Sequence, residues 1–112
     1  MTRANPPPSD TADDEQAVRI EFDSGDKDWS QFWTLENTLQ SIVEGSGFGE
    51  YDGNALALDC SCGALFLYGP DADVLLGLIR PYLQVATFMR NVVAFLSYGI
   101  EDQDGVRETT VR

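Results

Sequence analysis

Ala64-Leu65-Phe66-Leu67-Tyr68, followed at once by Gly69-Pro70-Asp71-Ala72-Asp73, is the stretch on which the fold turns. The first five residues are apolar at every position, the pattern of a central strand packed on both faces. The next five open a helix. Proline is at home near the first helical position, and Asp71 and Asp73 lie at the positive end of the helix dipole. From there Val74, Leu75, Leu78, Ile79, Tyr82 and Leu83 keep up a helical stripe that continues past Pro81. A proline inside a helix clashes with the carbonyl four residues earlier, here that of Gly77, so a kink is predicted near 77–81. Residues 84–90 return the chain to Asn91-Val92-Val93-Ala94-Phe95-Leu96-Ser97-Tyr98, a second long apolar strand.

Upstream the chain repeats this grammar. In Val18-Arg19-Ile20-Glu21-Phe22 apolar and charged residues alternate strictly, which marks a half-buried strand. A loop at 23–28 follows, and Asp28 with Gln31 reads as a capping-box start for a helix to about Glu44. Phe32, Leu35, Leu39, Ile42 and Val43 fall on one stripe of that helix, and Gly45-Ser46-Gly47 stops it. Trp29 and Trp33, four residues apart at its start, either flank the core or lie partly open. Tyr51-Asp52-Gly53-Asn54 carries a turn signal, Ala55–Asp59 reads as strand, and Cys60-Ser61-Cys62-Gly63 as a hairpin connection into residues 64–68. Beyond an acidic loop at 100–105, the β-branched residues of 106–111 suggest a short edge strand.

The order is βαββαβ with an extra C-terminal strand. Two right-handed βαβ-like units give an α+β fold, a ferredoxin-like sandwich with an antiparallel sheet and two helices on one face. The alternative is another α+β arrangement of the same elements. Residues 17–112 form this single domain, and residues 1–16, polar with Pro6, Pro7 and Pro8 in a row, form a disordered or extended tail.

Such a sandwich leaves one sheet face uncovered, yet the two apolar strands are apolar on both sides. Leu65 and Leu67 point opposite to Ala64, Phe66 and Tyr68; Val93 and Phe95 point opposite to Val92, Ala94, Leu96 and Tyr98. One set of each strand therefore belongs to the open face. Contiguous exposed apolar patches are rare on monomers, so a partner, a second copy or the chain's own ends should cover it.

Charge is the strongest compositional signal: seven basic against nineteen acidic residues, a net −12. The excess is spread along the chain, and residues 17–98 alone carry four basic and eleven acidic side chains. The acidity therefore belongs to the domain and not merely to the tail. Such a field repels nucleic acid and anionic membrane and attracts basic partners. The plainer reading of the same charge is solubility alone. The chain carries no apolar run long enough to span a membrane, and its opening residues lack the apolar core of a secretory signal, so a cytoplasmic location is expected.

Catalytic equipment is sparse. The chain has no histidine, which removes the commonest general base and metal ligand and every Ser/His/Asp or Cys/His scheme. No phosphate-binding glycine motif occurs, and the sole lysine, Lys27, lies between two aspartates. Cys60 and Cys62 have no further thiol or imidazole to complete a zinc site, and a bridge between them closes a strained ring, so two reduced thiols are expected. Asp52, Asp59, Asp71 and Asp73 sit near strand ends, where a carboxylate pair serves acid/base chemistry or holds a hard cation. Turn and helix-start duties account for them more simply. The loop Asp23, Asp26, Asp28 lacks the spacing and terminal glutamate of a calcium loop. Phe66 and Tyr68 sit where RNA-recognition modules place stacking aromatics, but the cations that phosphate requires are missing. No catalytic residue, metal ligand or cofactor is assigned.

The segments Glu50-Tyr51-Asp52-Gly53-Asn54 and Tyr68-Gly69-Pro70-Asp71-Ala72-Asp73, with the proline-containing apolar helix that follows, resemble small acidic bacterial proteins of ferredoxin-like type without assigned activity. The resemblance covers roughly residues 17–111 and implies a fold but no catalytic residues. In character the chain is also similar to the immunity proteins of bacterial toxin systems, which are small, acidic and enzymatically inert. The leading expectation is thus a non-enzymatic domain that binds a basic protein, most concretely as an immunity or antitoxin-type inhibitor. The candidate contact residues are Trp29, Trp33, Tyr51, Asp52, Phe66, Tyr68, Asp71 and Asp73. A homodimer joined through the open sheet face is the alternative, and a carboxylate-dependent enzyme comes third.

Overall fold

The computed structural model describes residues 15–25, 27–98 and 106–111. Among them lie β1 (Gln16–Ser24), α1 (Ser30–Ser46), β2 (Glu50–Leu56), β3 (Cys62–Gly69), α2 (Ala72–Val85), β4 (Met89–Ser97) and β5 (Val106–Thr110). The strands form one antiparallel sheet in the order β2-β3-β1-β4-β5. The fold is therefore α+β, with two helices and a five-stranded antiparallel sheet among the described residues. Most of the expected tail at 1–16, the acidic loop at 100–105 and Asp26 lie outside the described residues.

The middle strand is β1, whose strict alternation sorts its side chains cleanly. Val18, Ile20 and Phe22 are buried against the helices, while Arg19 and Glu21 are exposed on the other side. The registers carry this sorting outward: Val18 lies opposite Leu67 and Leu96, and Ile20 opposite Leu65 and Ala94. Phe32, Leu39 and Val43 from α1, with Leu75, Ile79 and Leu83 from α2, close the core over these residues. An aromatic cluster seals one end, where the Phe22 ring meets those of Trp29, Phe32 and Phe88 at centroid distances of 6.2, 6.0 and 6.2 Å.

Four local readings are corrected. The Asp-Gly pair at 52–53 makes no turn. It lies inside β2, where the pairing with β3 slips between Tyr51 and Gly53, and Gly53 takes the positive φ of 122° that this bulge requires. The true connection is residues 57–61, so β2 ends at Leu56 rather than Asp59 and β3 begins at Cys62. Asp59 organises that turn by accepting from the Ser61 amide at 3.0 Å and the Ser61 hydroxyl at 2.6 Å, and Cys60 adopts φ 64°. The third correction concerns β3, which is apolar throughout but covered on one face only, because both helices lie on the same side of the sheet. Fourth, Tyr82 leaves the buried stripe of α2 and is 39% exposed, whereas Leu76, outside the expected stripe, is buried.

The helices are otherwise bounded as their termini dictate. Asp71 is the N-cap of α2, accepting from the Val74 amide at 3.1 Å, and Gln16 Oε1 accepts from the Ala72 amide at 2.8 Å. The helix runs through Pro81 to Val85. In α1 the N-cap is Trp29, without a side-chain cap, rather than the expected Asp28, whose carboxylate accepts from the Ser30 amide at 2.8 Å one position ahead of it. That bond holds the Asp28 carboxyl below its ordinary range. The helix ends at Ser46, two residues beyond the expected Glu44, and its C-cap Gly47 takes the left-handed conformation. No described helix is long and apolar enough to cross a membrane.

Candidate functional site

Because β1, β3 and β4 are in register, their outward residues form a grid on the uncovered sheet face. Ala17 lies between Tyr68 and Ser97, Arg19 between Phe66 and Phe95, and Glu21 between Ala64 and Val93. The edge strands extend the rows to Glu50, Gly53 and Ala55 on one side and to Glu108 and Thr110 on the other. Of the two sets offered by each apolar strand, the outward one is thus Ala64, Phe66 and Tyr68 in β3, and Val93 and Phe95 in β4. All five are half-buried by their neighbours in the sheet, and no helix lies over them.

The centre of the grid is a charged row. The Arg19 guanidinium lies over the Phe95 ring, 4.5 Å from its centroid, and its Nε is 2.9 Å from Glu21 Oε2. Both side chains are about half exposed, so the ion pair contributes little to stability, on the order of 0–1 kcal/mol, and the cation–π contact about as much. Their effect is to fix Arg19 flat on the aromatic surface. Two concavities flank it. One of about 540 Å³ is walled by Ala55, Ala64, Val93 and Phe95 with Glu21 and Asp23 at its rim. The other, about 200 Å³, lies among Ala17, Arg19, Phe66, Tyr68 and Phe95. Asp23 Oδ2 accepts from the Asn91 side-chain Nδ2 at 2.8 Å, which holds one rim carboxylate in place.

The residues singled out in the sequence do not form one surface. Phe66 and Tyr68 are on the open sheet face. Trp29 is half-buried in the aromatic cluster, edge-on to Phe22 and Phe32, and its indole donates to the Ala57 carbonyl at 3.3 Å. Trp33 is 48% exposed on α1, so of the two tryptophans it is the partly open one. The Tyr51 ring is buried beneath α1, and its hydroxyl donates to Glu36 at 2.5 Å. Burial, and then the Glu36 carboxylate, push that phenol well above its ordinary range. Asp52 is exposed at the β2 bulge. Asp71 caps α2, and Asp73 accepts from the Tyr98 hydroxyl at 2.8 Å with Arg107 3.8 Å away. Burial of Tyr98 and its bond to Asp73 raise the Tyr98 phenol as well.

Two features escape the sequence-based residue choice. Arg19 and Phe95 meet only because β1 and β4 pair, which no local pattern reveals. A groove of about 350 Å³ between α1 and α2 is lined by Leu35, Tyr82, Val85, Ala86 and Phe88 among threonines. Its one legible signal is Val85, an apolar residue outside the α2 stripe, which is 73% exposed. Cys60 and Cys62 are free thiols, half-buried and exposed respectively. Among the described residues no group of three or more His, Cys, Asp or Glu side chains gathers to hold a metal ion. No family model, curated protein or solved structure matches the chain.

Proposed function

We propose that this chain is an acidic protein-binding domain without a catalytic role, acting on a basic partner protein, most concretely as an immunity or antitoxin-type inhibitor. The observation that carries the reading is the uncovered sheet face. It presents apolar and aromatic side chains of β3 and β4 on either side of the exposed Arg19–Glu21 pair, a mixed surface of the sort that marks an interaction site, on a chain of net −12. A partner rich in lysine and arginine is drawn by that field and anchored by the aromatic residues. The strand order β2-β3-β1-β4, with helices following β1 and β3, supports a ferredoxin-like sandwich, β5 being an addition at the edge.

The carboxylates offered as an enzymatic alternative have other duties that weigh against it. Asp71 caps a helix, Asp73 binds Tyr98, and Asp59 builds a turn. A second copy would also cover the apolar face, but it would bring the same acidic excess. The reading is tested by affinity capture from the host's lysate at low and high salt. One basic protein held at low salt and released at high salt is the expected result. Recovery of the bait alone counts against it.

A further inference from the structure

The Phe66–Arg19–Phe95 row carries an inference that rests on the protein-binding reading and specifies its contact. Arg19 shows what the open face takes. One guanidinium, flat on an aromatic ring and bonded to a carboxylate, is already seated there by the chain itself. Beside it the 540 Å³ concavity repeats the same elements: the Phe95 and Val93 side chains as apolar wall, and Glu21 and Asp23 as carboxylate rim. That concavity is wide enough for an arginine side chain, whose planar group stacks on aromatics and pairs with carboxylates in one geometry.

We propose that the open sheet face is the docking surface for a basic protein segment, in which arginine side chains alternate with aliphatic ones. The partner's arginine enters the concavity against Phe95, under Glu21 and Asp23, while its aliphatic neighbours cover Ala64 and Phe66. Charge selects this occupant. By register the face carries Glu21, Asp23, Glu50 and Glu108 against Arg19 and Arg90, an acidic excess within a chain of net −12. A second copy sets like against like, and a purely apolar partner gains nothing from the acidic excess of the face.

The test uses the full chain and two synthetic peptides of equal length and charge, one alternating arginine with leucine and one alternating arginine with serine. Binding is followed through the amide NMR spectrum. The arginine–leucine peptide is expected to bind about tenfold more tightly, with shifts centred on Arg19, Ala64, Phe66, Val93 and Phe95. Phe95→Ser is expected to weaken it about tenfold, as loss of an interface anchor does. Glu21→Gln, an exposed change that leaves the core untouched, is expected to weaken it several-fold and to flatten its salt dependence. Equal binding of the two peptides, or shifts confined to the α1–α2 groove, overturns the proposal. So do open-face shifts on simple dilution, which mean a second copy, or contacts from residues 1–14 to Phe66 in the free chain. Mapping to the groove leaves the protein-binding reading standing; an empty capture from lysate removes that reading itself.

Discussion

The Tyr51 hydroxyl donates to the Glu36 carboxylate at 2.5 Å, fastening β2 to α1 across the edge of the core. Asn54 reaches the same carboxylate oxygen at 2.5 Å, so one acidic side chain on the helix holds two residues of the strand. The tie is charge-assisted, and it joins the buried Tyr51 ring in holding the bulged edge strand to the helix. Tyr51→Phe removes the bond while keeping the ring. It is expected to cost about 1–2 kcal/mol, read as a lowered urea midpoint at neutral pH.

The same pair sets an alkaline limit. The folded state holds the Tyr51 proton more tightly than the unfolded chain does, so its contribution is fully present below the ordinary phenol range. It is lost as the pH rises above about 10, where the unfolded tyrosine ionises and the folded one does not. Urea midpoints should therefore fall in that window. They should fall less in Tyr51→Phe, and not to zero slope, because Tyr98 is shifted in the same direction.

Gly49 and Gly69 lie where backbone meets backbone. A methyl group on Gly69 would run into the Phe48 carbonyl, and one on Gly49 into the Tyr68 carbonyl. Neither obstacle is a flexible side chain. Gly69→Ala is expected to destabilise by about 2 kcal/mol or more in thermal melts. Gly77, exposed inside α2 with nothing within 4 Å of an added methyl, is the contrast. Gly77→Ala is expected to stabilise by about 0.5–1 kcal/mol.

Phe32 is fully buried and meets Phe22, Trp29 and Trp33, with Trp29 at 5.7 Å and Trp33 at 5.3 Å between centroids. Phe32→Ala leaves a hole at the junction of α1 and the sheet. A loss of about 3–5 kcal/mol is expected, with a blue-to-red shift of tryptophan emission as Trp29 gains water.

The element order and the middle strand are legible because each of those segments has one dominant period. Val18 to Phe22 alternates strictly, and it is the strand that alternation sorts into a buried and an open side. The turns are less legible. Asp52-Gly53 carries the stronger turn signal but serves a bulge, whereas the real connection at 57–61 contains neither glycine nor proline. It is held by Asp59, and it leaves Leu58 fully exposed. Sequence narrows the open face to two sets in each strand and stops there, since both are apolar. The larger aliphatic residues Leu65, Leu67, Val92 and Leu96 went under the helices. Phe66 and Tyr68 were left outside. The remaining chosen residues scatter because capping, turn-making and ring packing use the same residue types as binding does. Asp71 and Trp29 are examples. A single chain offers no local sign of which duty a residue has.

The central claim, that the uncovered sheet face holds a basic partner protein, is met most directly by capture from the host's lysate with three baits side by side: the unaltered chain, a Phe66→Ser/Phe95→Ser variant, and Trp33→Ala on the helical layer. The expected result is one basic protein, bound by the unaltered chain and by Trp33→Ala, released at high salt, and absent from the double variant whose fold is verified by its amide spectrum. A partner retained by the double variant and lost from Trp33→Ala would contradict it.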